Sequence, residues 1–392
     1  MKIDTMKRMD QYFGPLICML LSPLRKFLPA KKTGEIRKIL IIKFWGMGSI
    51  MLASPALKSI KKKFPESQLL FLTLSQNKEL CQVLKTIDKT ICLDVGNFFI
   101  FLISLWKIFL IFRKEKFDLA IDLEFFTNFT ALITFLTGSR NTVGFQTYKF
   151  WRNGFYTRKV SFAHSKHIMD IFLKMVQVLG LETKDKTLEK PSISFREKKR
   201  IEKLFKTNHV NDSELLVSMN INTNSLFYNR RWPKENFAQL SKRLLERKNI
   251  RIFLIGGKED KEYVESFQRL LKFPAQVINL CGQITIGELI ALLERCHLLI
   301  GNDSGPLHLA AALRLPTVSF FGPETPFLYG PVGSEHSVFY KDLPCSPCLN
   351  VYNVKSSDCK DNKCLKAITV EEVWKEVKKK IGKLQEMKTK DI

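Results

Sequence analysis

Four clusters in the sequence have residue types and spacing that could do chemistry. The first is Phe44-Trp45-Gly46-Met47-Gly48-Ser49, directly after the apolar run 38–43 (KILIIK). Its glycines, Gly46 and Gly48, let backbone N–H groups approach a ligand closely, and a helix opening there favours negative charge. A tight structural turn would use the same residues. The second is Gly301-Asn302-Asp303-Ser304-Gly305-Pro306-Leu307-His308, between an apolar strand and LAAAL. Asp303 or Ser304 suits a helix cap and Pro306 its first turn. Exposed N–H groups at Ser304 and Gly305 could instead hold a diphosphate, with His308 one turn further in. The third is Asn229-Arg230-Arg231-Trp232-Pro233. Paired arginines between a strand and a helix either lie solvated or clamp phosphate bidentately, which arginine does without titrating. The fourth is Cys345, Cys348, Cys359 and Cys364. Two close pairs at this spacing fit one tetrahedral Zn²⁺ through four thiolates; two disulfides or an iron–sulfur centre would use the same residues.

The elements that must position these clusters follow from hydrophobic periodicity. Strands are expected at 38–43, 68–74 and 117–123, with helices at 55–63, 78–85 and 128–137. The pattern weakens over 183–197. It resumes with strands at 214–220, 251–255, 276–280, 298–301 and 316–321, separated by helices at 234–248, 260–272, 286–296 and 306–313. Alternation of this kind implies the α/β class, a parallel sheet with helices on both faces. We read an N-terminal domain at 36–188 and a C-terminal domain at 189–392, the latter carrying the cysteine loop 345–364 and a basic C-terminal helix. Residues 1–35 stand apart as a basic, apolar segment. No internal repeat of 20 to 50 residues is evident. In doubly wound sheets ligands bind outside the carboxyl ends of the strands. The first three clusters lie in such loops, and Asp122 and Glu124 close the strand 117–123.

Composition narrows the classes. The chain has 392 residues, and 63 Lys plus Arg against 38 Asp plus Glu give a net charge of +25. A hydrophobic share of 45% with 19 Gly and 15 Pro excludes a collagen-like or largely disordered chain. Residues 1–40 carry nine basic against three acidic residues and 375–392 carry seven against three, so ten of the 25 net charges sit in the two tails. That favours an anionic surface over a nucleic-acid groove, and no nucleic-acid partner is expected. Cys18, Cys81, Cys92, Cys281 and Cys296 read as buried free thiols, and no cleavable signal peptide is evident, which points to the cytoplasm. Residues 13–24, broken by Pro15 and Pro23 and followed by Arg25, Lys26, Lys31 and Lys32, fit an interfacial anchor on anionic lipid or a helix packed on the protein body. The stretch 98–112 (FFIFLISLWKIFLIF) is too short to span a membrane; it is either a buried helix or one that dips into the bilayer surface.

The segments KILIIKFWGMGSIMLASPALKSIKKKFP, RRWPKENFAQL, LIGGKEDKEY and LIGNDSGPLHLAAALRLPTVSFFGP, in that order, resemble glycosyltransferase family 9, the ADP-heptose:lipopolysaccharide heptosyltransferase family. The resemblance runs from about Ile36 to Val373. It implies a GT-B architecture, two Rossmann-like domains facing a central cleft, with inverting transfer and no cofactor required for catalysis. By the same resemblance Asp303 would face the donor sugar, Ser304 and Gly305 would offer N–H groups to the diphosphate, and His308 would lie close by. Arg230 falls where the family's phosphate-binding lysine usually stands, and Gly256, Gly257 and Asp260 fall where the nucleoside is gripped. The family's glycine loop normally ends Gly-Asp, with that aspartate as general base; here the position is Ser49. A serine hydroxyl does not accept that proton near neutral pH. The expected base is therefore Glu124 or Asp122.

The expected function is transfer of a sugar, heptose by resemblance, from a nucleotide-diphosphate donor such as ADP-heptose to a lipopolysaccharide core or other lipid-linked saccharide, on the inner face of the cytoplasmic membrane. A structural zinc at the four cysteines would pin the loop behind the donor site. The alternative is a non-catalytic nucleotide-sugar-binding homologue that lacks the usual base.

Overall fold

The computed structural model describes residues 3–27, 35–148, 150–223, 225–272, 274–352 and 357–390; Lys31 and Lys32 lie outside them. The chain divides into two units, Met1–Glu189 and Lys190–Ile392. The first holds β1 (Lys38–Ile42), β2 (Gln68–Leu74), β3 (Lys89–Leu93), β4 (Leu119–Asp122), β5 (Asn141–Gln146) and β6 (Arg158–Ser161), in the order β3-β2-β1-β4-β5-β6. The second holds β7 (Leu215–Asn220), β8 (Ile250–Leu254), β9 (Val277–Asn279), β10 (Leu298–Asn302), β11 (Thr317–Phe321) and β12 (His336–Tyr340), in the order β12-β11-β10-β7-β8-β9. Every pairing is parallel. The same Rossmann order thus occurs twice. Two such α/β units in tandem are the composition of the GT-B architecture. The winding reverses between β1 and β4 in one sheet and between β7 and β10 in the other, the places where such sheets bind ligands.

Central strands covered by helices on both faces must be apolar throughout, and they are: Ile39 to Ile42 in β1 and Leu298 to Ile300 in β10 are fully buried. Gly301 in β10 follows from close approach, since a Cβ there would lie 2.9 Å from the Asn220 backbone oxygen. The helix after β1 runs Met47–Lys63, eight residues earlier than expected from Pro55. Pro55 cannot donate to the Met51 carbonyl, and the Ser54 hydroxyl supplies that bond instead at 2.7 Å. A right-handed crossover from β1 to β2 and one from β3 to β4 leave their helices on opposite faces. The helices Phe98–Glu115 and Asn128–Leu136 therefore share one face of the first sheet.

The N-terminal segment is part of the first unit rather than a separate piece. Its helix, Ile3–Leu21, docks on the start of Asn128–Leu136. The Asp10 carboxylate accepts from the Asn128 and Phe129 N–H groups at 3.1 and 2.6 Å, capping that helix from outside. Gly14 lies so close that a Cβ would meet the Asn128 side chain at 2.6 Å, and Cys18 is buried beside it. Beyond the helix, Arg25 donates to the Ser139 and Arg140 carbonyls at 3.0 and 2.7 Å. Among the described residues no helix is long and apolar enough to cross a membrane. At the other end, Val370–Lys390 buries Val373, Val377 and Ile381 against the second unit.

Candidate functional site

At the switch point of the second sheet, the loop after β7 ends in the turn Ser225–Arg230, and β10 leads into the helix Gly305–Ala312. The Arg230 guanidinium bridges two carboxylates, donating to Asp303 at 3.1 Å and to Glu324 at 2.8 Å. Glu324 follows β11, is 1% exposed, and was not singled out by the sequence reading. Asp303 and His308 are buried as well, and Ser304 caps the helix in extended backbone with its hydroxyl donating to the Asn302 carbonyl at 3.1 Å rather than accepting from the helix N–H groups. A held cation therefore stands beside a helix N-terminus whose first N–H groups have no side-chain cap, an arrangement suited to a phosphate-bearing ligand.

Trp232 fixes this loop. Its N–H donates to the Asn302 side chain at 2.8 Å, its indole donates to the Ile368 carbonyl at 2.9 Å, and its ring stacks on Phe320 with centroids 4.3 Å apart. Asn362 donates to the carbonyls of Asn229 and Arg231 on either side of Arg230, at 3.3 and 2.8 Å. The expected nucleoside residues gather one strand further over. Asp260 accepts from the Gly257 N–H at 3.2 Å and from the Asn222 amide, and Arg231 reaches it at 3.4 Å while lying over the Tyr263 ring. Burial raises the Asp260 carboxyl above its ordinary range, opposed by the donors from Gly257 and Asn222. A Cβ on Gly256 would meet Asn222 and Cys281 at 2.8 Å.

The first switch point carries the glycine loop. Gly46 has φ of 86°, the left-handed region, so glycine is required there, and a Cβ would touch the Ser49 hydroxyl at 3.1 Å. Beneath the loop lies Glu124, 3% exposed. One of its oxygens accepts from the Phe44 and Trp45 N–H groups at 2.7 and 3.1 Å, and the other accepts from Lys43 at 2.8 Å. Lys43 is itself buried and also donates to the Trp45 carbonyl. Asp122 is fully buried; it accepts from the Glu124 N–H at 2.9 Å and from the Tyr156 hydroxyl at 2.6 Å, with Arg152 at 3.7 Å. Burial raises its carboxyl, and Arg152 and Tyr156 oppose that rise. Phe126, next along, is a non-glycine residue held at φ of 54°. Glu124 and Asp122 thus both sit at the candidate site, yet their oxygens are taken by the backbone and side chains that shape the loops. As they stand, they hold the loop that presents Ser49.

Of the four clustered cysteines, Cys345 is exposed, Cys348 and Cys359 are half-buried, and Cys364 is buried against Gly322. Burial pushes the Cys364 thiol up to about 11, and Cys348, Cys359 and Cys345 add to the rise. All four are free thiols. Among the described residues no group of three or more His, Cys, Asp or Glu is arranged to hold a metal ion.

A family model described as glycosyltransferase family 9 (heptosyltransferase) matches residues 105–357. The chain is 32% identical over 151 residues to lipooligosaccharide heptosyltransferase 2 of a Campylobacter jejuni strain, a match that spans 38% of this chain and 46% of that relative. It is 26% identical over 358 residues to lipopolysaccharide heptosyltransferase 1 of Campylobacter coli, spanning 88% of this chain and 99% of the relative. Among solved structures, the E. coli ADP-heptose lipopolysaccharide heptosyltransferase II superposes with a TM-score of 0.68 at 18% identity, covering 89% of this chain and 99% of that one.

Proposed function

Because the chain belongs to glycosyltransferase family 9, we propose that it moves a heptose from ADP-heptose to a lipid-linked saccharide such as a lipopolysaccharide core, with inversion at the anomeric carbon. The observation that carries this reading is the Arg230 guanidinium, held between Asp303 and Glu324 beside the open N-terminus at Ser304 and Gly305. Fixed positive charge at that place stabilises a departing diphosphate without a metal ion. His308 lies within the same helix. Asn222, Gly256, Gly257 and Asp260 form the part of the site suited to the nucleoside. On the acceptor side, Gly46 and Gly48 shape the loop, Ser49 positions the attacking hydroxyl, and Glu124 and Asp122 hold the loop in register. The non-catalytic alternative is less favoured, since the relatives that match are themselves named heptosyltransferases.

The test is transfer by purified protein with ADP-heptose and a truncated lipopolysaccharide acceptor, read as a mass increase of the acceptor. Asp303→Ala should remove turnover. Saturable ADP-heptose binding without turnover in the wild type would overturn the transfer reading and leave the binding one.

The proposal extends to place and to metal. The protein works on the cytoplasmic face of an anionic membrane, through residues 1–35. The donor set of Cys345, Cys348, Cys359 and Cys364 would suit a structural zinc, but the four thiols would have to draw together to hold it, since among the described residues no three such groups are arranged for a metal ion. Such a metal would stiffen the segment from which Asn362 braces Arg230. Protein purified without chelator should contain about one equivalent of metal by mass spectrometry, and all four cysteines should resist iodoacetamide until chelator is added. Metal-free protein in which Cys345 alkylates quickly and Cys364 slowly, as a thiol pushed up to about 11 would, would remove the metal from the account.

A further inference from the structure

Two helices of the first unit are amphipathic in the wrong sense for water. Phe98–Glu115 buries Ser104, Ile108 and Phe112, while Phe99, Leu102, Ile103, Trp106 and Leu110 point outward at helical spacing. Ile3–Leu21 buries Gly14 and Cys18, while Met9, Tyr12, Phe13, Leu16, Ile17 and Leu20 repeat the same spacing on its outer side. Together with Leu24 and Phe27 these helices expose sixteen of the twenty-six large apolar side chains that stand exposed among the described residues, so the apolar surface is concentrated rather than scattered.

The two helices meet at one place on the unit. Both helices meet the first turn of Asn128–Leu136, one through Asp10 and the other through the Phe101 ring, 6.0 Å from Phe129. Among the described residues, the exposed charge on and beside them is mainly basic. Arg8, Lys26, Lys107, Arg113, Lys114 and Lys116 are exposed, whereas Glu115 is paired with Lys38 and Lys89 and Asp10 is spent on its cap. An apolar face rimmed by cations, on helices too short to span, fits the headgroup boundary of an anionic bilayer. The face also adjoins the glycine loop: Phe129 touches Phe44, which precedes Trp45 and Gly46, at 5.8 Å.

We propose that Phe98–Glu115 inserts into the anionic bilayer surface beside the N-terminal helix, so that the first unit docks at two points and its glycine loop is held next to the lipid from which the acceptor saccharide projects. The inference rests on the membrane reading above and adds to it a second insertion element and a fixed orientation.

The experiment uses the full chain with vesicles of phosphatidylglycerol and phosphatidylethanolamine, and with vesicles of phosphatidylcholine alone. Three proteins are compared: wild type, a Phe99→Ser, Ile103→Ser, Trp106→Ser variant, and a Tyr12→Ser, Leu16→Ser, Leu20→Ser variant. All six positions are exposed, so unchanged circular dichroism and thermal midpoint are expected. Wild type should bind the anionic vesicles and bind phosphatidylcholine weakly. Each variant should bind roughly ten-fold or more weaker, while ADP-heptose binding stays unchanged. Loss of binding in the Tyr12 variant with wild-type binding in the Phe99 variant would overturn the inference and leave the N-terminal anchor standing. Wild type that binds no vesicle would overturn the membrane reading as a whole. A wild-type dimer that becomes monomeric in the Phe99 variant, without vesicle binding, would reassign the face to a second copy of the chain.

Discussion

Arg230→Ala is expected to lower kcat/KM for heptose transfer by roughly 10²- to 10³-fold, the scale seen when a fixed donor to developing negative charge is removed. The loss has two sources. Diphosphate departure goes unassisted, and Asp303 and Glu324, 6% and 1% exposed, are left facing each other without the cation between them. Steady-state kinetics with ADP-heptose separates these. Arg230→Lys retains the charge but reaches only one carboxylate, and should stay within about ten-fold of wild type if charge at the diphosphate is what matters. If Arg230→Lys falls as far as Arg230→Ala, the two-carboxylate geometry is the working feature. If neither variant changes the kinetics, the guanidinium has no part in the transfer.

Glu124→Gln should be the most damaging single change in the first unit. Lys43 is 1% exposed and would lose the carboxylate of its ion pair while keeping the Trp45 carbonyl and the Phe125 ring, and breaking a buried pair by removing one partner costs about 3–5 kcal/mol. A fall of roughly 10 °C in thermal midpoint is expected for a unit of this size. Adding Lys43→Met removes the buried ammonium as well, and most of the midpoint should return. The double variant then asks what Glu124 does in a folded protein. Its amide oxygen still accepts from the Phe44 and Trp45 N–H groups, so transfer within about ten-fold of wild type is the outcome expected of a residue that holds the loop. Loss of roughly 10²- to 10⁴-fold in the folded double variant would identify Glu124 as the proton acceptor instead.

Where a strand is central and apolar on both faces, periodicity finds it. The run 68–74 coincides with β2, and β7, β10 and β11 fall within a residue of expectation. The strands that were missed, β3, β5, β6 and β12, are mixed in polarity, and three of them are sheet edges. Solvent on one side of an edge removes the apolar requirement and, with it, the signal. The helix Phe195–Thr207 was lost in a charged stretch although Ser194 and Glu197 form the reciprocal cap that announces it. Arg230 and Asp303 were both legible as candidates. Their pairing was not, nor was Glu324, which is 94 residues from Arg230 in sequence and meets it only because β7, β10 and β11 lie side by side. Asp122 and Glu124 were legible as residues at a strand end; that their oxygens would be consumed by Tyr156 and by the Phe44 and Trp45 N–H groups depends on packing that spacing alone does not encode.

The docking of the first helix bears on how this protein is best handled in the laboratory. Trimming the greasy N-terminus is the usual remedy for poor solubility, and here it would remove more than grease. A chain starting after Phe27 would lose the Asp10 cap from two backbone N–H groups, uncover the Asn128 surface that Gly14 fits, and free the Ser139 and Arg140 carbonyls that Arg25 holds. The wound would lie on the very helix whose Phe129 supports the glycine loop. Solubility is better sought by repainting the outer side of Ile3–Leu21 one side chain at a time, with the inner side left as it is.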